Sequence, residues 1–363
     1  MNERNQGFKQ AVKKHKNAII YLSIFAVICI AGILAILFIG EPEDSADKHN
    51  RTDKIVNIGG VNCVPKQNIE TYLIIGTDVK GKLTKDVVKT TTKHTEPGET
   101  QAVTENKDVY NPGRADVITL LVIDREKNTY ALLPIDRDTI TAVDSLDENG
   151  KYLATTDIQL ALAYECADGK EQSCENVMKS VSNLLHDQYI DEYAALSQDA
   201  IKKINNMVGG VTVKIEDDFS KSDKTLKKGE TVKLNDDQAS HFVHDRMNVG
   251  DGTNECRMRR HNEYLKGLKT KVAEKTDQNP KFPLKAYRNL NDYMITSIAG
   301  TDASKITKAV LKNKYLGTFK INGKSKIDSY GYNAFYSDKK SLDDVVRKLF
   351  YDEVDKNGNI KEK

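Results

Sequence analysis

DVITLLVID (Asp116–Asp124) and TYALLPI (Thr129–Ile135), joined by REKN (Arg125–Asn128), decide the fold. Both runs are apolar, rich in β-prone residues and of strand length. A short polar link between two such runs reads as a hairpin. Just upstream, ETYLIIG (Glu70–Gly76) is a third buried strand that ends at a turn. Downstream the apolar period changes to that of helices. Val177, Val181, Leu184 and Leu185 share one face, and Ile201, Ile204 and Val208 share another behind Ser197 as the expected cap. Gly209-Gly210 ends that helix and leads into a strand over Val211–Ile215. Asn235 opens a further helix, with Gln238 in capping-box spacing. Another helix is expected from about Glu255 to Lys275. Past Pro280 the chain reads as shorter strands and a last helix near Leu342–Phe350. Strands mixed with helices in this way predict a three-layer α/β/α sandwich around a central mixed sheet.

The ends of the chain differ from this middle. Ala18 to Gly40 reads AIIYLSIFAVICIAGILAILFIG, without a charge. A bilayer core takes about 20 apolar residues as helix, and a signal-peptide apolar region is shorter, about 7–15 residues. One transmembrane helix is therefore expected at 18–40. Lys9, Lys13, Lys14 and Lys16 precede it, and Glu41, Glu43, Asp44 and Asp47 follow. The positive-inside rule then leaves residues 1–17 in the cytoplasm and everything after Gly40 outside. Residues 41–68 are polar with little periodicity and read as a stalk. The Lys/Thr-rich stretch from Val79 to Pro112 reads as a long loop, functional or disordered, with room for a hairpin of its own. Residues 69–280 are expected as the main domain and 281–363 as an extension packed on it.

Charge and cysteines exclude more than they assert. The net charge is +2, so no nucleic-acid footprint appears. Cys29 falls in the membrane span. Cys63, Cys166, Cys174 and Cys256 lie outside it, and their pairing cannot be chosen from sequence; a local Cys166–Cys174 bridge and free buried thiols both fit. No CxxC pair occurs, which leaves zinc without support.

Four clusters can carry chemistry. Gly76-Thr77-Asp78 follows the first strand. Gly113-Arg114-Ala115-Asp116 opens the second, and Asp136-Arg137-Asp138-Thr139 follows the third. Arg246, Gly250-Asp251-Gly252 and then Arg257, Arg259 and Arg260 lead into a helix. Each cluster alone is ordinary, because Asp at a strand end commonly forms a turn and Arg–Asp surface pairs contribute little. Together they suggest more. Carboxylates at neighbouring strand ends can converge on one sheet edge, where α/β ligand sites form. Two such carboxylates with water and substrate oxygens suit Mg²⁺. Arginines beside the ion suit phosphate, whose oxygens match the guanidinium fork. Positions 257, 260, 261 and 264 are helical neighbours, so Arg257 and Arg260 are expected to project together from a first turn that favours anions. A lipid site would need apolar walls and a polar mouth. The two helical faces named above are the candidates, although most of those residues are expected as ordinary core.

The order of motifs resembles the LytR-CpsA-Psr family of cell-wall polymer ligases. The resemblance lies in YLIIGTD (Tyr72–Asp78), GRADVITLLVID (Gly113–Asp124), LPIDRDT (Leu133–Thr139), VGGVTV (Val208–Val213), LNDDQASHFVHDR (Leu234–Arg246) and GDGTNECRMRRHNEYL (Gly250–Leu265). It implies a phosphotransferase, N-terminus in the cytoplasm and catalytic domain outside. That enzyme moves an anionic glycopolymer from a polyprenyl-pyrophosphate carrier onto a sugar hydroxyl of peptidoglycan at the outer membrane face. It implies Asp78 and Asp116 as Mg²⁺ ligands, and Arg114 and Arg137 as pyrophosphate-contacting catalytic residues. It also implies Arg246, Arg257 and Arg260 as a second pyrophosphate-binding set. Asp138 or a metal-site carboxylate would be the base.

The chain departs from the family pattern at several positions. Lys80 and His244 stand where the pattern has Arg, and His261 stands where it has Gln. Pro134 and Asp136 replace a Ser and a Pro in the Arg-Asp motif, and Gln159 takes the place of a Lys in a following helix. A membrane-anchored polymer-binding or regulatory protein with weak turnover, and a polyprenyl-pyrophosphate hydrolase, remain as alternatives at this level.

Overall fold

The computed structural model describes residues 54–83, 112–147, 149–245, 248–252, 254–328 and 331–361. The expected membrane span at 18–40, Arg246 and most of the stretch from 79 to 112 lie outside them. Among the described residues no helix is long and apolar enough to cross a membrane.

The described chain opens with a hairpin, β1 (Val56–Ile58) and β2 (Val61–Pro65), turned at Gly59-Gly60. Both glycines have positive φ, a conformation that costs little without a Cβ. The stalk expected over 41–68 is thus corrected from Val56 onward. A few alternating residues become strand because Tyr351–Glu353, at the far end of the chain, pairs with β2.

The central meander follows as expected: β3 (Ile69–Thr77), β4 (Ala115–Asp124) and β5 (Thr129–Ile135). Leu73 lies opposite Leu120, and Asp124 opposite Thr129. A second hairpin, β6 (Ile140–Leu146) and β7 (Tyr152–Gln159), comes next. Gln159 therefore ends a strand and is not in a helix. Then come α1 (Leu162–Glu165), α2 (Glu171–Leu184) and β8 (Glu192–Leu196), which returns parallel to β3. Helix α3 (Ala200–Val208) ends at Gly209 in the left-handed conformation. Its N-cap is Asp199, without a side-chain bond, so Ser197 does not cap it.

A hairpin of β9 (Thr212–Lys214) and β10 (Thr231–Lys233) leads to α4 (Asp236–His244). Here the expected capping box is present. Asn235 accepts from the Gln238 N–H at 2.8 Å, and its own N–H donates to the Gln238 side chain at 3.0 Å. The long α5 (Asn254–Gln278) and α6 (Phe282–Leu290) follow. The remainder is β11 (Met294–Thr296), α7 (Gly300–Lys312), β12 (Lys314–Thr318), the hairpin β13 (Gly323–Ile327) and β14 (Asn333–Ser337), α8 (Lys339–Phe350) and β15 (Tyr351–Glu353).

The six-stranded sheet has the order β11-β8-β3-β4-β5-β12 and is mixed. Strands β8 and β12 run parallel to β3 and β5, and the other pairs are antiparallel. Strand side chains alternate between faces. Tyr72, Ile74, Leu121 and Ile123 face a core completed by α3 to α7. Leu73, Ile75, Leu120 and Val122 face another completed by α1, α2 and α8. Burial on both faces explains why these strands read as continuous apolar runs. Cys63, Cys166 and Cys174 are free thiols, so no Cys166–Cys174 bridge forms.

Candidate functional site

Strand direction brings the motifs together. β3, β5 and β8 end at the edge where the antiparallel β4 begins. Asp78, Arg114, Asp116, Arg137 and Ser197 therefore meet at one end of the sheet, although they are far apart in the chain. The C-terminus of α4 and the first turns of α5 close over this edge.

Local backbone devices then aim each side chain. Asp78 receives the Arg114 N–H on Oδ1 at 2.7 Å, and its own N–H donates to the Arg114 carbonyl at 3.2 Å. The turn before it needs glycine: Gly113 has φ +81°, and a Cβ there would lie 2.8 Å from Asp78 Oδ1 and 2.3 Å from Val79 Cγ2. Pairing of β3 with β4 shifts between Gly76 and Thr77, from Val117 to Ala115. Asp116 is the residue passed over. Such a bulge commonly turns a side chain toward a site.

Arg137 follows β5 and pairs with Asp116, while its Nε lies 3.6 Å from Asp138 Oδ1. Asp136 builds the turn beneath. Its side chain accepts the Asp138 N–H at 3.0 Å, and its carbonyl accepts the Thr139 hydroxyl at 2.6 Å. Arg114 pairs with Glu165 of α1 at 2.7 Å, a partner that the sequence offered no signal for.

Electrostatics confirm the closeness. Burial pushes the Asp116 carboxyl above its usual range and the charge of Asp78 adds to this, while Arg137 foremost, then Arg257 and Arg114, pull it back. Asp138 is likewise raised, by burial first and then by Asp136 and Asp116, against Arg137. Asp78, Asp116, Asp138, Arg114, Arg137 and Arg257 thus share one field.

Beside this cluster a pocket of about 80 Å³ runs in between the sheet and α3. Its mouth carries Asp78, Asp116 and Arg257. Its walls include Leu196, Ala200, Ile201, Ile204 and Val243, and Ser197, His244 and His261 complete the lining. Of the two helical faces expected for lipid, only Ile201 and Ile204 line it. Val208 is core on the same side of the sheet, and Val177, Val181, Leu184 and Leu185 are core on the other.

Both pocket histidines are neutral near pH 7. Burial lowers His244 to about 4, with Arg257 assisting. Burial lowers His261 to about 3, again with Arg257, and its Nε2 meets the Val243 carbonyl at 2.7 Å.

Arg260 does not join Arg257. It is 3% exposed. Its Nε donates to the Phe242 carbonyl at 2.8 Å, Nη1 to Asp217 at 3.0 Å and Nη2 to the Asp245 carbonyl. Its guanidinium also lies 5.3 Å from the Phe219 ring centre. Asp217 accepts from Arg259 as well. The spacing on α5 explains the outcome. His261 is one full turn from Arg257 and shares its face, whereas Arg260 turns toward the core beside the fully buried Tyr264.

The site defines a class: a mixed α/β protein with carboxylates and arginines gathered at a strand-end cleft over an apolar pocket. The chain belongs to the LytR_cpsA_psr family, whose model matches residues 37–350. That family acts in attaching glycopolymers to the cell wall. No curated protein matches the chain. Among solved structures, protein gbs0355 from Streptococcus agalactiae is 19% identical, with 78% of this chain and 88% of that one covered and a TM-score of 0.53. TagT bound to LIIa-WTA is 17% identical, with 84% and 96% covered and a TM-score of 0.51. B. subtilis TagV is 19% identical, with 78% and 96% covered and a TM-score of 0.50. At such identities the likeness is one of fold.

Proposed function

We propose that the chain is a Mg²⁺-dependent phosphotransferase. It moves an anionic glycopolymer from a polyprenyl-pyrophosphate carrier to peptidoglycan at the outer face of the membrane. The observation that carries this reading is the convergence of Asp78, Asp116, Arg114, Arg137 and Arg257 on one sheet edge beside an apolar pocket. TagT, a neighbour in fold, was solved bound to LIIa-WTA and LI-WTA, which agrees with a glycopolymer substrate.

Among the described residues no group of three or more His, Cys, Asp or Glu could hold a metal. Asp78 and Asp116 are a pair, which suits an ion that completes its shell with water and substrate oxygens. The carboxylates of Asp78, Asp116, Asp136, Asp138 and Glu165 outnumber the guanidiniums of Arg114, Arg137 and Arg257. A bound divalent cation would offset that excess and supply charge stabilisation for the pyrophosphate.

The chain's own residues supply the remainder. Arg114, Arg137 and Arg257 orient the pyrophosphate and stabilise the charge that grows on the leaving group. An acceptor hydroxyl oxygen forms a bond to the glycopolymer-side phosphorus. The bond from that phosphorus to the bridging oxygen breaks, and polyprenyl phosphate leaves. The hydroxyl proton passes to a carboxylate, and Asp138 suits the role because burial raises the affinity of its carboxylate for a proton. Leu196, Ile201 and Ile204 seat the start of the lipid tail.

The test is product analysis with a polyprenyl-pyrophosphate glycan, with and without Mg²⁺ and peptidoglycan. Glycan bound to peptidoglycan only when both are present is the expected result. Release of free glycan phosphate regardless of acceptor would instead make the chain a hydrolase.

A further inference from the structure

We infer that Ser197 is a substrate-binding residue whose hydroxyl donates to the lipid-side phosphate, at the junction between charged head and apolar tail. This rests on the reading above and adds a residue to it. Ser197 follows β8, which runs parallel to β3, so it stands at the same edge as Asp78. It lines the pocket together with the charged Asp78, Asp116 and Arg257 and the apolar Ala200, Ile201 and Ile204.

Among the described residues the hydroxyl has no structural task. Sequence spacing assigns it to capping α3, but the cap position is Asp199. Ser197 is 3% exposed, and its Oγ has no hydrogen-bond partner among the described residues. Leaving a buried hydroxyl unpaired is unfavourable. Unpaired buried polar groups therefore call for a specific explanation.

The backbone around it is held from three sides. The Ser197 N–H donates to the Tyr293 carbonyl at 3.0 Å, and the Gln198 N–H to the Val79 carbonyl at 2.9 Å. Asp199 Oδ2 accepts the Gly81 N–H at 2.7 Å. Ser197 is thus fixed against the Asp78–Gly81 turn, and its hydroxyl is set in place before substrate arrives. A neutral donor suits this depth. A further buried cation would need its own counter-charge, and the two pocket histidines are neutral as well.

The test uses the full chain in detergent with two probes of equal chain length, polyprenyl monophosphate and polyprenol. Ser197→Ala should bind the monophosphate about tenfold more weakly, as expected for a lost hydrogen bond to a charged group. Polyprenol binding should change less than twofold, and the melting temperature should equal or exceed that of the wild type. A structural serine would show the reverse: a lower melting temperature and equal losses for both probes. Either that pattern or unchanged monophosphate binding overturns the assignment. The parent reading fails separately, when the wild-type protein binds the monophosphate yet transfers no glycan.

Discussion

Arg260→Ala should unfold the protein more readily, not merely silence it. Arg260 is 3% exposed and gives hydrogen bonds to Asp217, the Phe242 carbonyl and the Asp245 carbonyl. Removing one partner of a buried ion pair costs about 3–5 kcal/mol, because the other charge stays buried. Asp217 keeps Arg259, which places the pair loss at the lower end. The two abandoned carbonyls bring it back up by about 1 kcal/mol each. A net loss of about 3–5 kcal/mol is a large share of the roughly 5–15 kcal/mol that holds a domain folded. At about 2–4 °C per kcal/mol, the melting temperature should fall by roughly 6–20 °C. Thermal unfolding of the purified protein in detergent, followed by circular dichroism, reads this directly. Asp217→Asn should produce a loss of the same kind. Arg257→Ala lines the pocket and should lower transfer while melting near the wild-type temperature. If Arg260→Ala melts with the wild type but transfers nothing, its guanidinium is reaching substrate and the structural role assigned to it is wrong.

Further consequences concern the cleft. Arg137→Ala should lower transfer by roughly 10²–10³, as removal of a charge-stabilising donor typically does. Its partly exposed pairs with Asp116 and Asp138 mean that stability should shift by less than about 1 kcal/mol. In metal-free protein, Asp116→Asn should raise stability at pH 7. The folded carboxyl titrates above its usual 3.8, so ionising it opposes folding; the gain should vanish as pH falls below that value. An equal difference at pH 7 and pH 3.5 would refute the burial argument. His244 and His261 carry the opposite sign. Their folded values, about 4 and about 3, lie below 6.5, so the stability they contribute is complete above pH 6.5 and is lost as pH falls toward 4. His261→Gln should flatten that acid limb in a pH series of melting temperatures.

Much of this was legible in the residues alone. The β4–β5 hairpin, β3, the capping box at Asn235 and the long α5 follow from apolar period and local hydrogen bonding, which act over a few residues. The motifs at Asp78, Arg114, Asp116, Arg137 and Asp138 could be proposed as one site because strand ends collect at sheet edges. Tertiary structure decided the rest. Whether Arg257 and Arg260 act together turned on which face of α5 meets the core, and Asp217, remote in sequence, captured Arg260. Glu165 became the partner of Arg114 only through the fold. Residues 56–65 became strands because β15 lay alongside. The bulge that passes over Asp116 arises from pairing register, and the free hydroxyl of Ser197 from the placement of β8 beside β3. Local propensity and periodicity are properties of neighbouring residues, whereas register, burial and charge pairing are properties of residues brought together by folding. The sequence therefore suggested the chemistry, and the packing chose which of the candidate side chains meet in one cleft.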